Sequence, residues 1–133
     1  MNAEPQPIRS LRLKNGLDLK LYDESCKVAG DRWRVRMVAR IEIPVAHPFP
    51  ARLDDGEGES ARRQILGAHA VYRQVRERNF VDGASRHKVL QKLCRDFLNV
   101  QRDYLSHPDF GPRFILKAYR TCRERKSWYA DAQ

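Results

Sequence analysis

Hydrophobic and polar residues alternate along the first part of this chain, with apolar side chains at every second position on both sides of an Asn-Gly pair. A period of two is typical of a strand that buries one face. The pair Asn15-Gly16 accepts positive φ, as the type I′ turn of a β-hairpin requires. The pattern therefore predicts a hairpin of two strands, at about 8–14 and 17–24. The alternating apolar residues are Leu11, Leu13, Leu17, Leu19 and Leu21.

A longer alternation follows, from Trp33 to Val45. A helix would distribute these apolar side chains around its circumference, so a third strand at about 32–45 is predicted. Antiparallel sheets commonly leave one face in solvent, and we expect the charged residues of this strand on that face. The alternating apolar residues are Trp33, Val35, Met37, Ala39, Ile41 and Ile43.

The next part of the chain has a less regular pattern. Prolines, glycines and acidic residues are concentrated in 44–60, which predicts a flexible loop. Residues 61–80 fit both a helical and a strand period, and Gly67 weakens a continuous helix. The interpretation that we favour is a short helix near 62–66 followed by a fourth strand at about 70–80.

The last third of the chain has helical periodicity. Ser85 can cap a helix at about 85–105, which has one apolar and one polar side. The pair Gly111-Pro112 suits the start of a second helix, at about 112–126. The apolar stripe of the first helix contains Val89, Leu90, Leu93, Cys94, Phe97, Val100, Gln101, Tyr104 and Leu105.

Together these elements predict an α+β fold. We expect an antiparallel meander of three to four strands with the two C-terminal helices packed on its apolar face. The length of 133 residues is typical of one domain. We therefore expect a single domain over 1–133, with loosely ordered tails at 1–7 and 127–133.

Positive charge is concentrated in the second part of the chain. From Ser60 onward there are 16 Lys and Arg against 7 Asp and Glu, which accounts for the whole net charge of +9. Such an imbalance attracts anionic partners. Trp128 and Tyr129 follow the basic end of the last helix and are candidate interface aromatics. The candidate contacts to an anionic partner are Arg34, Arg36, Arg40, Arg62, Arg63, Arg73, Arg76, Arg78, Arg120, Arg123, Arg125 and Lys126.

Catalytic and metal-binding motifs are not found in the sequence. The four histidines and three cysteines show no metal-ligand spacing, and the odd number of widely separated cysteines predicts reduced thiols. Neither a G-x-S-x-G motif nor a glycine-rich phosphate loop is present. We therefore expect no enzyme activity, no metal and no cofactor. The N-terminus lacks an apolar signal core, which predicts a cytoplasmic protein without a membrane span.

Two functions are consistent with these observations. The first is a non-catalytic interaction domain that docks on a protein partner or on a second copy of itself. The alternative is a nucleic-acid-binding protein that uses the arginines of the second half on phosphates, with a steep dependence on salt. A mobility-shift assay with random DNA and RNA at low and physiological salt distinguishes them.

Overall fold

The computed structural model describes the backbone of residues 5–46, 49–54 and 56–131, and side chains as far as residue 125. The predicted α+β class is confirmed, as are the meander and the two C-terminal helices. The strands are β1 (Arg9–Arg12), β2 (Asp18–Asp23), β3 (Cys26–Ala29), β4 (Arg32–Pro44) and β5 (His69–Asp82). The helices are α1 (Gly58–Leu66), α2 (Arg86–Ser106) and α3 (Phe110–Asp131), with short 3-10 turns at Ala51–Leu53 and Gly83–Ser85.

The first hairpin forms as predicted, with Arg12 opposite Asp18, but its turn is of another type. Gly16 has a φ of 88°, whereas Asn15 does not have positive φ. The Gly16 N–H donates to the Leu13 carbonyl at 2.9 Å, and the Leu13 N–H donates to the Leu17 carbonyl at 2.8 Å. This is the pattern of a three-residue loop that ends in a left-handed glycine, and it replaces the expected two-residue type I′ turn.

β4 is the central strand of the sheet. β2 and β3 pair with one of its edges in a common register, in which Asp23 faces Met37 and Cys26 faces Arg34. Between them the Glu24 N–H donates to the Arg36 carbonyl at 2.9 Å. β2 and β3 are therefore two parts of one strand, which is interrupted near Ser25.

β5 pairs with the opposite edge of β4 and completes the meander. The Val45 N–H donates to the Ala68 carbonyl at 2.9 Å, just beyond one end of the strand pair. At the other end the Gly83 N–H donates to the Asp31 carbonyl at 3.0 Å. These bonds indicate that β5 runs antiparallel to β4, and the helix α1 and the strand β5 resolve the ambiguity of residues 61–80.

The chain forms two compact units. Residues 1–41 and 73–106 make up the first, which we call the sheet unit, and residues 42–72 and 107–133 make up the second, the helical unit. Both β4 and β5 contribute residues to each unit. The expectations of a single domain and of loosely ordered tails remain predictions.

In the sheet unit, α2 packs on the apolar side of the strands. The alternating residues Val35, Met37 and Ala39 are fully buried, and α2 buries Leu90 and Phe97. The Asn15 side chain connects the first hairpin to the end of α2, since its Nδ2 donates to the Leu105 carbonyl at 2.8 Å.

In the helical unit, α3 packs against the first part of β5 and against α1. The ring of Tyr72 meets the ring of Phe110 edge-on, with 5.4 Å between the centroids. Ile115 is fully buried and Tyr119 nearly so. α1 begins at Gly58, earlier than the predicted 62–66, and the predicted loop 44–60 also contains the 3-10 turn Ala51–Leu53. α3 extends beyond its predicted end, to Asp131.

Candidate functional site

The polar face of β4 carries three of the predicted cationic contacts. Arg36 Nε donates to Glu77 Oε2 of β5 at 2.8 Å, which makes a partly exposed ion pair. Arg40 is exposed, whereas the Nε of Arg34 is buried without a hydrogen bond to a described residue. Val38 lies among these arginines but is only 3% exposed, so this face of the sheet is less open to solvent than the alternation predicted.

β5 carries three more arginines, each in a different environment. Arg73 lies 3.8 Å from Glu24. The guanidinium of Arg76 lies over the ring of Phe97 in α2, 5.5 Å from its centroid. Arg78 is exposed and forms no ion pair with a described residue. Within the described part of β5, neither Arg76 nor Arg78 pairs with a carboxylate, and Arg78 is the more exposed of the two.

In the helical unit two of the predicted cationic residues already contact other side chains of the protein. Arg62 is 4% exposed, with its guanidinium 4.2 Å from the centroid of the Phe49 ring. Arg123 pairs with Glu57 at 2.8 Å.

The structure describes the side chains of some, but not all, of the remaining candidate residues of this unit. Arg63, Arg120 and Arg125 are exposed. Lys126, Trp128 and Tyr129 lie in the last turns of α3, and their side chains are outside the described residues.

A groove runs between β5 and α2 in the sheet unit, with a volume of about 350 Å³. Leu93, Phe97 and Val100 of α2 form its apolar wall, and Arg76 and Arg78 border it on the side of β5. We call it the β5–α2 groove. Phe97 is nearly buried, whereas Val100 is 73% exposed. An apolar wall beside a partly buried and an exposed arginine is a surface that can bind both an apolar and an anionic group.

The outer edge of β5 adjoins this groove. Among the described residues, β5 pairs with no strand other than β4. Near the end of the strand, Phe80 has a φ of 58° and is 79% exposed. Positive φ is unfavourable for a bulky side chain, and residues held in such conformations occur preferentially at functional sites.

Sequence reasoning placed Leu93 and Val100 on the buried stripe of α2 and did not single out Phe80. The structure corrects the outer part of this stripe, since Val100 and Tyr104 are mostly exposed. The sequence did indicate this surface, because the nine residues of the stripe are more than one buried helix face needs. The additional residues can form a second apolar row on α2, and Val100 of that row lines the groove.

Cysteine and metal chemistry add no further site in the described part of the chain. Cys26, Cys94 and Cys122 are free thiols. Burial raises the pKa of Cys94, which makes its thiolate scarce at neutral pH. No group of three or more His, Cys, Asp and Glu residues that could hold a metal ion occurs in the described ranges.

Comparison of the chain with protein-family models, curated proteins and solved structures finds no match. Function is therefore inferred from the geometry of the chain. In the part of the chain that the structure describes, no helix has the length and hydrophobicity needed to span a membrane.

Proposed function

We propose that this protein is a non-catalytic interaction module that binds an extended, acidic segment of a partner protein along β5. One observation carries the proposal: an open strand edge directly adjoins an apolar groove. Recognition of this kind, in which a peptide adds a strand to a sheet, uses main-chain hydrogen bonds for affinity and side-chain pockets for specificity.

The backbone of β5 supplies the first part of this binding mode. Residues 77–80 are exposed, and β5 pairs with no described strand other than β4, so the backbone N–H and C=O groups of its outer edge can bond to an incoming chain. Successive side chains of a strand point to opposite faces of a sheet. Every second residue of the bound segment would therefore face the β5–α2 groove.

The groove supplies an apolar contact. Leu93, Phe97 and Val100 lie on one side of α2, one helical turn apart from each other. A volume of about 350 Å³ lies near the lower end of the usual range for ligand pockets, which is about 300–1,000 Å³. It therefore suits one or two aliphatic or aromatic side chains of the bound segment.

Charge favours an acidic segment. The two carboxylates that border the groove are compensated, since Glu77 pairs with Arg36 at 2.8 Å and Asp96 pairs with Lys92 at 3.1 Å. Arg78 has no such partner among the described residues. An Asp or Glu of the partner would thus meet an uncompensated guanidinium, which binds carboxylates in a two-point geometry.

Phe80 provides a further anchor. Aromatic residues are enriched among the few interface residues that supply most of the binding energy. A strained backbone at a mostly exposed phenylalanine has no explanation in the packing of the sheet unit, whereas contact with a partner would bury the ring.

The proposal is tested by selection of peptides from a random twelve-residue display library against the wild-type protein. We expect the selected peptides to contain an acidic residue and apolar residues at every second position. Val100→Asp should weaken the binding of the selected peptides at least tenfold, as measured by fluorescence polarisation, because it places a carboxylate in the apolar wall. The matched control is Asn99→Asp, which adds the same charge at an exposed neighbouring position outside the groove.

The control variant should retain binding within about twofold. The strand geometry is tested separately, by N-methylation of single peptide amides, which should abolish binding at alternate positions only. The proposal is wrong if no peptide is selected, or if the selected peptides bind the Val100→Asp variant as tightly as the wild type.

A further inference from the structure

A second groove lies in the helical unit, between the 3-10 turn Ala51–Leu53 and one side of α3. Its volume is about 550 Å³. Four basic residues line it, Arg52, Arg113, Lys117 and Arg120, together with an apolar floor that includes Leu53 and Leu116. We call it the α3 groove. Its residues belong to the helical unit alone, so a ligand of this groove is independent of the proposed peptide site.

The basic residues of α3 form a row along one side of the helix. Arg113, Lys117 and Arg120 are separated by four and three residues, so they span about 10 Å at 1.5 Å per residue. Lys117 and Arg120 form no ion pair with a described residue, although Glu124 lies one turn beyond Arg120. Like charges at this spacing destabilise a helix. Repulsion between Lys117 and its neighbours is therefore not offset by an ion pair of Lys117 or Arg120 with a described residue, whereas Arg113 lies 3.8 Å from Asp109.

Arg52 is held in a fixed position on the opposite side of the groove. Its Nη1 donates to Asp109 Oδ2 at 2.7 Å, and its Nη2 donates to Asp109 Oδ1. The Asp109 side chain is 7% exposed, whereas the Arg52 side chain is 62% exposed. A guanidinium fixed in this way loses little freedom when a ligand binds beside it.

Two carboxylates also line the groove, Asp54 and Glu124. They would repel a nucleic-acid backbone that passed along the whole groove, whereas they can accept hydrogen bonds from the hydroxyl groups of a sugar. The volume of the groove falls within the usual range for small-molecule sites, about 300–1,000 Å³.

We infer that the α3 groove binds a small phosphorylated molecule of the nucleoside diphosphate or triphosphate class. The phosphates lie against Arg113, Lys117 and Arg120. The apolar floor formed by Leu53 and Leu116 supports the base, and Glu124 accepts a hydrogen bond from the sugar.

Isothermal titration calorimetry at about 0.15 M salt with adenosine and guanosine diphosphates and triphosphates tests this inference. We expect the diphosphates and triphosphates to bind and the free nucleosides not to bind. Charge reversal in the double variant Lys117→Glu/Arg120→Glu should weaken binding at least tenfold. Arg125→Glu is the matched control, because Arg125 is exposed on the same helix and does not line the groove. It should retain binding within about twofold.

Circular dichroism tests whether both variants fold. If the charge-reversal variant does not fold, the milder double variant Lys117→Gln/Arg120→Gln replaces it. The inference is overturned if none of the four nucleotides binds, or if Arg125→Glu weakens binding as much as the double variant. Binding of a twelve-residue RNA without binding of the mononucleotides would also overturn it, since the groove would then recognise a nucleic-acid backbone.

Discussion

Asp109 is the buried carboxylate that orients the start of α3. Its N–H donates to His107 Nδ1 at 3.0 Å, and its carbonyl accepts the Arg113 N–H at 3.0 Å, one turn into the helix. Hydrogen bonds from Arg52 lower the pKa of Asp109, while its burial acts in the opposite direction. The ionised form of the side chain is therefore the one that stabilises the helical unit.

Replacement of Asp109 by Asn should reveal this contribution as a loss of melting temperature whose size depends on pH. Because the pKa of Asp109 is lower in the folded state, its stabilisation is present above the unfolded value of about 3.9 and is lost as the pH falls through the folded value. We expect Asp109→Asn to lower the melting temperature by several degrees at pH 7 and at pH 5.

Thermal unfolding followed by circular dichroism, from pH 7 down to pH 2, measures this difference. The difference in melting temperature between the wild type and Asp109→Asn should shrink progressively below pH 4. Asp103→Asn, at an exposed position of α2, serves as the control and should change the stability by less than about 0.5 kcal/mol at every pH. A difference for Asp109→Asn that stays the same down to pH 2 would contradict the assigned role of the carboxylate.

At the scale of the elements, Gly67 determines where α1 ends and β5 can begin. Its φ of 83° and ψ of −155° lie in a region that essentially only glycine adopts. Its N–H donates to the Arg63 carbonyl at 2.8 Å, which closes the last turn of the helix. A Cβ at this position would meet no atom within 4 Å, so a side chain would be disfavoured by backbone conformation alone.

Gly67→Ala should therefore lower the free energy of unfolding by about 1–3 kcal/mol, without any steric clash. Urea denaturation measures the change. The control is Ala68→Gly at the exposed neighbouring position, where we expect a loss of less than about 1 kcal/mol. A wild-type stability for Gly67→Ala would mean that the junction can adopt another conformation at no cost.

The strands differ in how well the sequence predicts them. β4 is predicted almost to the residue because its core-facing side chains are apolar without interruption. β5 alternates in this way only at its start, where Ala70 and Tyr72 are buried. Farther along it carries arginines beside α2, so that the strand and helix periods fit equally well. The division of one strand into β2 and β3 has no signal in the hydrophobic pattern.

The candidate grooves are predicted less well than the fold, because each depends on the distance between two elements. The arginines of β5 and α3 stand out in the sequence as charge, but charge does not show which of them border a groove. Arg62 illustrates the limit: it has the same side chain as Arg63 and is nevertheless buried against Phe49. Packing between elements, which the sequence does not show directly, decides such cases.

At the scale of the whole molecule, the net charge of +9 attracts polyanions without selecting among them. If the protein is a peptide-binding module, it should bind random thirty-residue RNA at low salt and no longer bind it at about 0.15 M salt. Release of counterions from single strands weakens such binding by about 0.7 logarithmic units per phosphate contact for each tenfold increase in salt.

A mobility-shift assay with the same RNA across a salt series checks this expectation. The matched comparison is a fully neutral RNA analogue, which should not shift at any salt concentration. A shift by RNA that persists at physiological salt would favour the alternative, nucleic-acid binding through the arginines of the second half.

The edge of β5 that pairs with no described strand also bears on self-association of the chain. An unpaired strand edge can join the same edge of a second copy, and such growth leads to fibrous or amorphous precipitates. Arg73, Arg76 and Arg78 are distributed along the part of that edge that lies in the sheet unit before Phe80. Two copies that approach edge to edge would bring guanidinium groups close together, and their repulsion would disfavour this pairing, whereas an acidic segment would meet no such repulsion.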